Sequence, residues 1–229
     1  DSQGNVFLGF GQAYGDVALH YQPLNNDLEM IGETDQGIPV YESFTPQNSF
    51  DLTYAEDGSV YFAFSDQRNF IDSDIYLQKY NNFSAVYSEP ILIVDNFFVD
   101  DNIKFISNTP EHGCFLTYDS GDFSGTRAYA IAMDPDGGVI DEFSGGLRLS
   151  TDENDQFIKG LVKTSSGYFV LWKDQRSGSS DLYGQMIDYS GNILGPEEGI
   201  PITTETNDQQ DPSMTYNSQE NEIMICWED

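Results

Sequence analysis

The chain has 229 residues, 38% hydrophobic and 14% aromatic, so it can bury a core and does not read as a disordered acidic tail. Its 39 Asp and Glu against 9 Lys and Arg give a formal charge of −30, which makes nucleic acid and anionic membrane surfaces poor partners by like-charge repulsion. No apolar run approaches the ~20 residues of a membrane span, so no membrane insertion is expected; the charge suits a saline, extracellular setting where salt screens self-repulsion.

In chain order, the turn DSQGN (1–5) leads into an apolar run through Phe10, and GDVALHYQ (15–22) and GIPV (37–40) follow. Then come DLTY (51–54), SVYFAFSD (59–66), SDIYLQKY (73–80) and PILIVD (90–95), short alternating or apolar runs rich in β-favouring residues. The turns between them, AEDGS, NNFS and TPEHG, carry Gly, Asn, Asp and Pro. NIKFIS (102–107) opens the next set, with DPDGG (134–138) as a hairpin turn. FIKGLV (157–162) opens another, containing YSGN (189–192) and GIPI (199–202). SMTY (213–216) and NSQENEIMICWED (217–229) close the chain, and no segment sustains a 3.6-residue period.

These runs repeat. WKDQRSGSSDLYGQ (172–185) restates FSDQRNFIDSDIYLQ (64–78), and the aromatic column Phe10, Phe64, Tyr118, Trp172, Trp227 has spacings of 54, 54, 54 and 55. Four short strands per period predict an all-β chain, a β-propeller built of ~54-residue four-stranded blades, ahead of a β-sandwich or solenoid. Residues 1–229 then form one propeller region, with repeats near 5–58, 59–112, 113–166 and 167–221, and 222–229 opening another. Labelling the strands A to D from the innermost outward gives B-C-D, three full sets, then A-B. That is 17 strands, one more than a closed four-bladed ring holds. The expectation is an excerpt of a longer propeller, the competing reading a complete ring with one displaced strand.

The pattern W-x-D-x-R, a loop, D-[IL]-Y-x-Q, then G-N and G-I-P-[IV] resembles the tandem repeats of large secreted proteins of marine and gut Bacteroidetes. The resemblance implies propeller blades and an extracellular or cell-surface location. It supplies no catalytic residues.

Two charged columns suggest why the motif recurs. Four residues after the aromatic stand Tyr14, Arg68, Asp122 and Arg176; at the next strand stand Asp16, Asp74, Arg127 and Asp181. Repeat three carries the same two charges in reversed order. A catalytic group could not be exchanged in this way, whereas an ion pair could. Arg68–Asp74, Asp122–Arg127 and Arg176–Asp181 are therefore expected to brace their loops, and repeat one, without the pair, to be looser. Asp66 and Asp174 are expected to accept hydrogen bonds from loop N–H groups.

The B–C and D–A loops should share one face, and that face is the more acidic. Asp66, Asp72, Asp100, Asp101, Asp155, Asp174 and Asp211 are its candidate ligand-binding residues, for a protein or a glycan. Other blades or domains of the same polypeptide are the further expected partners. Tyr14, Phe70, Phe97, Phe98 and Phe123 could stack on sugars, although packing under their own loops is the simpler expectation. No cofactor is expected beyond a structural calcium ion, for which DSD (72–74), VDDN (99–102) and DENDQ (152–156) offer oxygens without matching a calcium-loop motif. His20 and His112 lack partner motifs, and Cys114 and Cys226 should be buried free thiols. The preferred function is an extracellular scaffold or binding module of a larger secreted or cell-surface bacterial protein. The alternative is a carbohydrate-active enzyme, glycoside hydrolase-like, using paired carboxylates.

Overall fold

The computed structural model describes residues 6–14, 16–32, 37–42, 45–55, 57–68, 72–81, 84–95, 99–107 and 113–229. Among these residues the chain is all-β apart from one 3-10 turn at Asp141–Phe143. It divides into two compact units: residues 1–101 with 107–114 and 133–138, and residues 102–106 with 115–132 and 139–229. Among the described residues no helix is long and apolar enough to cross a membrane.

In the first unit, β1 (Val6–Tyr14), β2 (Asp16–Leu24) and β3 (Ile38–Pro39) form a three-stranded sheet in that order. The next sheet runs β4 (Gln47–Tyr54), β5 (Val60–Asp66), β6 (Asp74–Asn81) and β7 (Ser84–Ala85), with β8 (Ile91–Val94) also paired to β6. Leu19, Tyr21, Val40, Val60, Phe62, Phe64, Tyr76 and Tyr80 form one buried cluster from both sheets. The turn at 133–138 packs on this unit: the Tyr61 hydroxyl donates to the Pro135 carbonyl at 2.9 Å and Lys79 Nζ donates to it at 3.2 Å.

The second unit holds most of β9 (Val99–Ser107), β10 (Cys114–Asp122), β11 (Gly125–Met133) and β12 (Leu147–Arg148), which make a four-stranded sheet. Another follows in the order β13 (Gln156–Lys163), β14 (Gly167–Asp174), β15 (Asp181–Asp188), β16 (Ile200–Thr203). A hairpin of β17 (Gln210–Asn217) and β18 (Glu222–Glu228) ends the chain. Phe169, Leu171 and Leu182 pack with Met214, Ile223 and Ile225 of that hairpin. Phe115 of β10 stacks on Tyr168 of β14 at 3.8 Å between ring centroids. Among the described residues five sheets result, none closed on itself.

All 17 predicted runs are strands, and among the described residues the one addition is β7, two residues at the end of the NNFS turn. Two features explain why the repeat conserves its own letters. The turn after the third strand is wound on one side chain: Asp134 Oδ1 accepts the N–H groups of Asp136 and Gly138, and Asp188 Oδ1 accepts those of Ser190 and Asn192. The glycine of G-I-P is fixed by the aromatic anchor of its own repeat. A Cβ on Gly199 would stand 2.6 Å from the Trp172 ring, and one on Gly37 2.6 Å from the Phe10 ring. Both glycines have positive φ, +93° and +76°, which side-chain-bearing residues rarely adopt.

Candidate functional site

The repeated D-x-R closes on itself. Asp174 ends β14, fully buried, and accepts from Trp172 Nε1 at 3.0 Å. It also accepts from the Arg176 backbone N–H at 3.0 Å, Arg176 Nε at 2.8 Å and Arg176 Nη2 at 2.6 Å. The backbone bond folds the turn back, so the guanidinium finds the carboxylate two residues before it. Arg176 also lies flat over the Tyr183 ring at 3.9 Å and donates to the Glu198 carbonyl at 2.8 Å. Burial alone would lower the Arg176 pKa; Asp174 and Asp152 outweigh it and raise it. Repeat two is built alike. Asp66, also fully buried, accepts from Arg68 at 2.8 Å, Thr45 Oγ1 at 2.6 Å and Gln47 Nε2 at 3.4 Å, and Arg68 sits 3.7 Å over Tyr76.

The expected braces are therefore reassigned. Arg68 and Arg176 pair with Asp66 and Asp174 rather than with Asp74 and Asp181, which lie directly across the hairpin from those carboxylates. Asp122 does not pair with Arg127, because it is spent on its own hairpin tip, accepting the Ser124 N–H at 2.7 Å and hydroxyl at 2.5 Å. Arg127 turns instead to the following loop, 3.3 Å from Glu153 and 3.9 Å from Asp155. In repeat one the strand register puts Ala18, not Asp16, across from Gln12, and Asp16 pairs with Tyr14 at the hairpin tip. The side chains of Tyr14 and Asp16 lie outside the described residues.

Three of the four arginines meet at the DENDQ loop. Arg148 pairs with Glu153 at 3.1 Å, Arg127 reaches Glu153 and Asp155, and Arg176 stands 3.7 Å from Asp152. Hydrogen bonding from Arg148 holds the Glu153 carboxyl below its usual range. Partial burial would raise that of Asp152, but the N–H donors of Asn154 and the nearby arginines win and lower it. The loop expected to offer oxygens to calcium is thus largely taken by guanidinium groups. Among the described residues no three His, Cys, Asp or Glu gather as a metal site.

The remaining candidates are dispersed. Asp155 Oδ1 accepts the Thr126 N–H at 2.7 Å and its carbonyl accepts from Gln175, which joins a D–A loop to two B–C loops. Asp100 and Asp72 are buried, and the Asp100 N–H donates to the Ser73 carbonyl at 3.2 Å. Asp101 is exposed. Asp211 is exposed in the bulge that opens β17, with φ +41°, a conformation costly for a residue with a side chain. Phe123 projects fully into solvent at the β10–β11 tip, so its ring does not pack under its own loop. Phe70, Phe97, Phe98 and His112 lie outside the described residues. Cys114 is buried, which pushes its thiol pKa up, but Cys226 is exposed, on the face of β18 opposite the packed Ile223 and Ile225.

Sequence reasoning passed over the glutamines that begin the A strands. Gln47 Oε1 accepts the Leu19 N–H at 2.8 Å and Gln156 Oε1 the Ala128 N–H at 3.3 Å, each tying one sheet to the preceding one. Their recurrence in PQNSF, NDQF and NDQQD was the available signal.

No protein-family model matches the chain, and no curated protein does. Solved structures do. An endo-arabinase from Bacteroides thetaiotaomicron superimposes with a TM-score of 0.59 at 13% identity, covering 99% of this chain and 85% of that one. A polysaccharide lyase, an ulvan lyase bound to -[GlcA(1-4)Rha3S]-, superimposes with a TM-score of 0.60 at 11% identity, covering 99% of this chain and 64% of that one. At these identities the likeness establishes a shared fold. It corrects the preferred sequence reading: the similar structures are carbohydrate-cleaving enzymes, not passive scaffolds or binding modules, and favour the alternative.

Proposed function

We propose that this chain forms β-propeller blades of an exported, carbohydrate-active bacterial enzyme that cleaves a polysaccharide with acidic side chains. The observation that carries this reading is the likeness, over 99% of the chain, to an endo-arabinase and an ulvan lyase. The 54-residue period and the A-B-C-D order of the sheets support the propeller. Further blades of the same polypeptide are the partners this architecture would take.

The charge selects among substrates. A chain of net −30 repels sulfated or uronate-bearing polymers, so a neutral glycan of the arabinan kind fits better than ulvan. Asp66 and Asp174 are fully buried and committed to their arginines, so they do not face a substrate. Asp211, exposed and strained at a strand start, is the better candidate carboxylate, and Phe123 the candidate platform for a sugar ring.

The test is release of soluble fragments from arabinan, other neutral glycans and ulvan, for the wild type, Asp211→Asn and Phe123→Ala. The expected result is cleavage of a neutral glycan, lost in Asp211→Asn and weakened through KM in Phe123→Ala. Cleavage of none by a folded protein overturns the proposal; cleavage that survives Asp211→Asn removes that residue from it.

A further inference from the structure

We infer that the fourth repeat carries a hard-cation site, of the calcium type, at Asp181. Asp181 begins β15, is 1% exposed, and has no hydrogen-bond partner for either carboxylate oxygen among the described residues. Two further buried oxygens on the same two segments are also unpartnered: Ser180 Oγ, one residue before Asp181 in the chain, and Oε1 of Gln209, whose backbone N–H donates to the Ser180 carbonyl at 2.7 Å.

The third repeat places a cation at the corresponding position, where the other three repeats carry Asp16, Asp74 and Asp181. Asp155 accepts the Thr126 N–H and Gln156 the Ala128 N–H, with Arg127 between them; in the fourth repeat Asp208 accepts the Ser180 N–H at 2.8 Å and Gln209 follows it. Thr126-Arg127-Ala128 thus corresponds to Ser180-Asp181-Leu182. In one repeat the central side chain is a guanidinium facing acids of the next loop. In the other it is a carboxylate, while the next loop remains acidic through Glu205 and Asp208. The nearby cation, Arg176, is held by Asp174 and Asp152.

A buried carboxylate without a counter-charge is strongly unfavourable. A hard cation meeting carboxylate, amide and hydroxyl oxygens removes that penalty. With one buried carboxylate and otherwise neutral oxygens, the affinity belongs to the weak extracellular class, about 10⁻⁴ to 10⁻³ M.

The experiment uses the whole chain in high salt, which screens diffuse ion binding. Terbium luminescence excited through the protein aromatics, with calcium as competitor, reads the site, and thermal unfolding is compared in EDTA and in calcium. The expected result is a saturable, calcium-displaced signal in the wild type and in Asp141→Asn, a variant lacking an exposed acid elsewhere, and its loss in Asp181→Asn. Calcium should raise the wild-type Tm by roughly 5 °C at concentrations well above Kd, and leave Asp181→Asn unmoved. Equal terbium and calcium responses in wild type and Asp181→Asn overturn the proposal. So does a wild type whose Tm and terbium signal do not respond to calcium. If Asp181→Asn does not fold, anomalous density in terbium-soaked wild-type crystals decides: a peak at Asp181 supports the site, and peaks only elsewhere overturn it.

Discussion

The loops of repeats three and four use the same two charges to opposite ends. In repeat four, Arg176 folds back onto Asp174 and Tyr183, within its own hairpin. In repeat three, Arg127 stands one strand further on and reaches forward to Glu153 and Asp155, in the loop that leads into β13 of the next sheet. The first arrangement is buried and multiply bonded; the second ends on a largely exposed glutamate. Position along the hairpin therefore decides whether an arginine closes one blade or links two. It also decides the energy, because burial and hydrogen bonding separate a strong ion pair from a weak one.

The largest expected effect lies under the repeat-four clasp. Trp172→Ala removes a fully buried ring that packs on Gly199 and donates to Asp174, at a cost of about 3–5 kcal/mol and a Tm drop on the order of 10 °C by calorimetry. Next is Asp174→Asn, which leaves Arg176 only the more distant Asp152 and should cost about 3 kcal/mol in urea unfolding. Arg127→Met should cost less, and its effect should shrink further with added salt, whereas that of Asp174→Asn should not. The smallest effect is in acid. Asp152 and Glu153 have folded-state pKa values below their unfolded ones. Their contribution is present above about pH 4 and is lost as pH falls through the depressed values. Glu153→Gln should flatten that part of a pH–stability curve; an unchanged curve would remove the DENDQ loop from the account.

The period, the strands and the structural nature of the D-x-R motif were legible because aromatic anchors and turn residues recur at fixed spacing. The partner of each arginine was not. Asp66 and Asp74 face each other across one hairpin, as do Asp174 and Asp181, so spacing alone cannot choose between them. The choice is made by an Asx-type backbone bond and a tyrosine face, which emerge only when the turn is built. The exposed Cys226 was misread for a related reason. Its strand matches the buried B strands in sequence, but Ile223 and Ile225 take the packed face and Cys226 points, with the exposed Met224, to the other. The acidic loops were visible, but not that arginines already occupy the DENDQ loop.

The most direct measurement is a pair of double-mutant cycles in urea, built from Asp174→Asn, Arg176→Met and Asp181→Asn. The structure predicts coupling between Asp174 and Arg176 of about 1.5–3 kcal/mol and, between Arg176 and Asp181, no more than about 0.5 kcal/mol. The opposite ranking would contradict the clasp and restore the pairing that the sequence columns suggest.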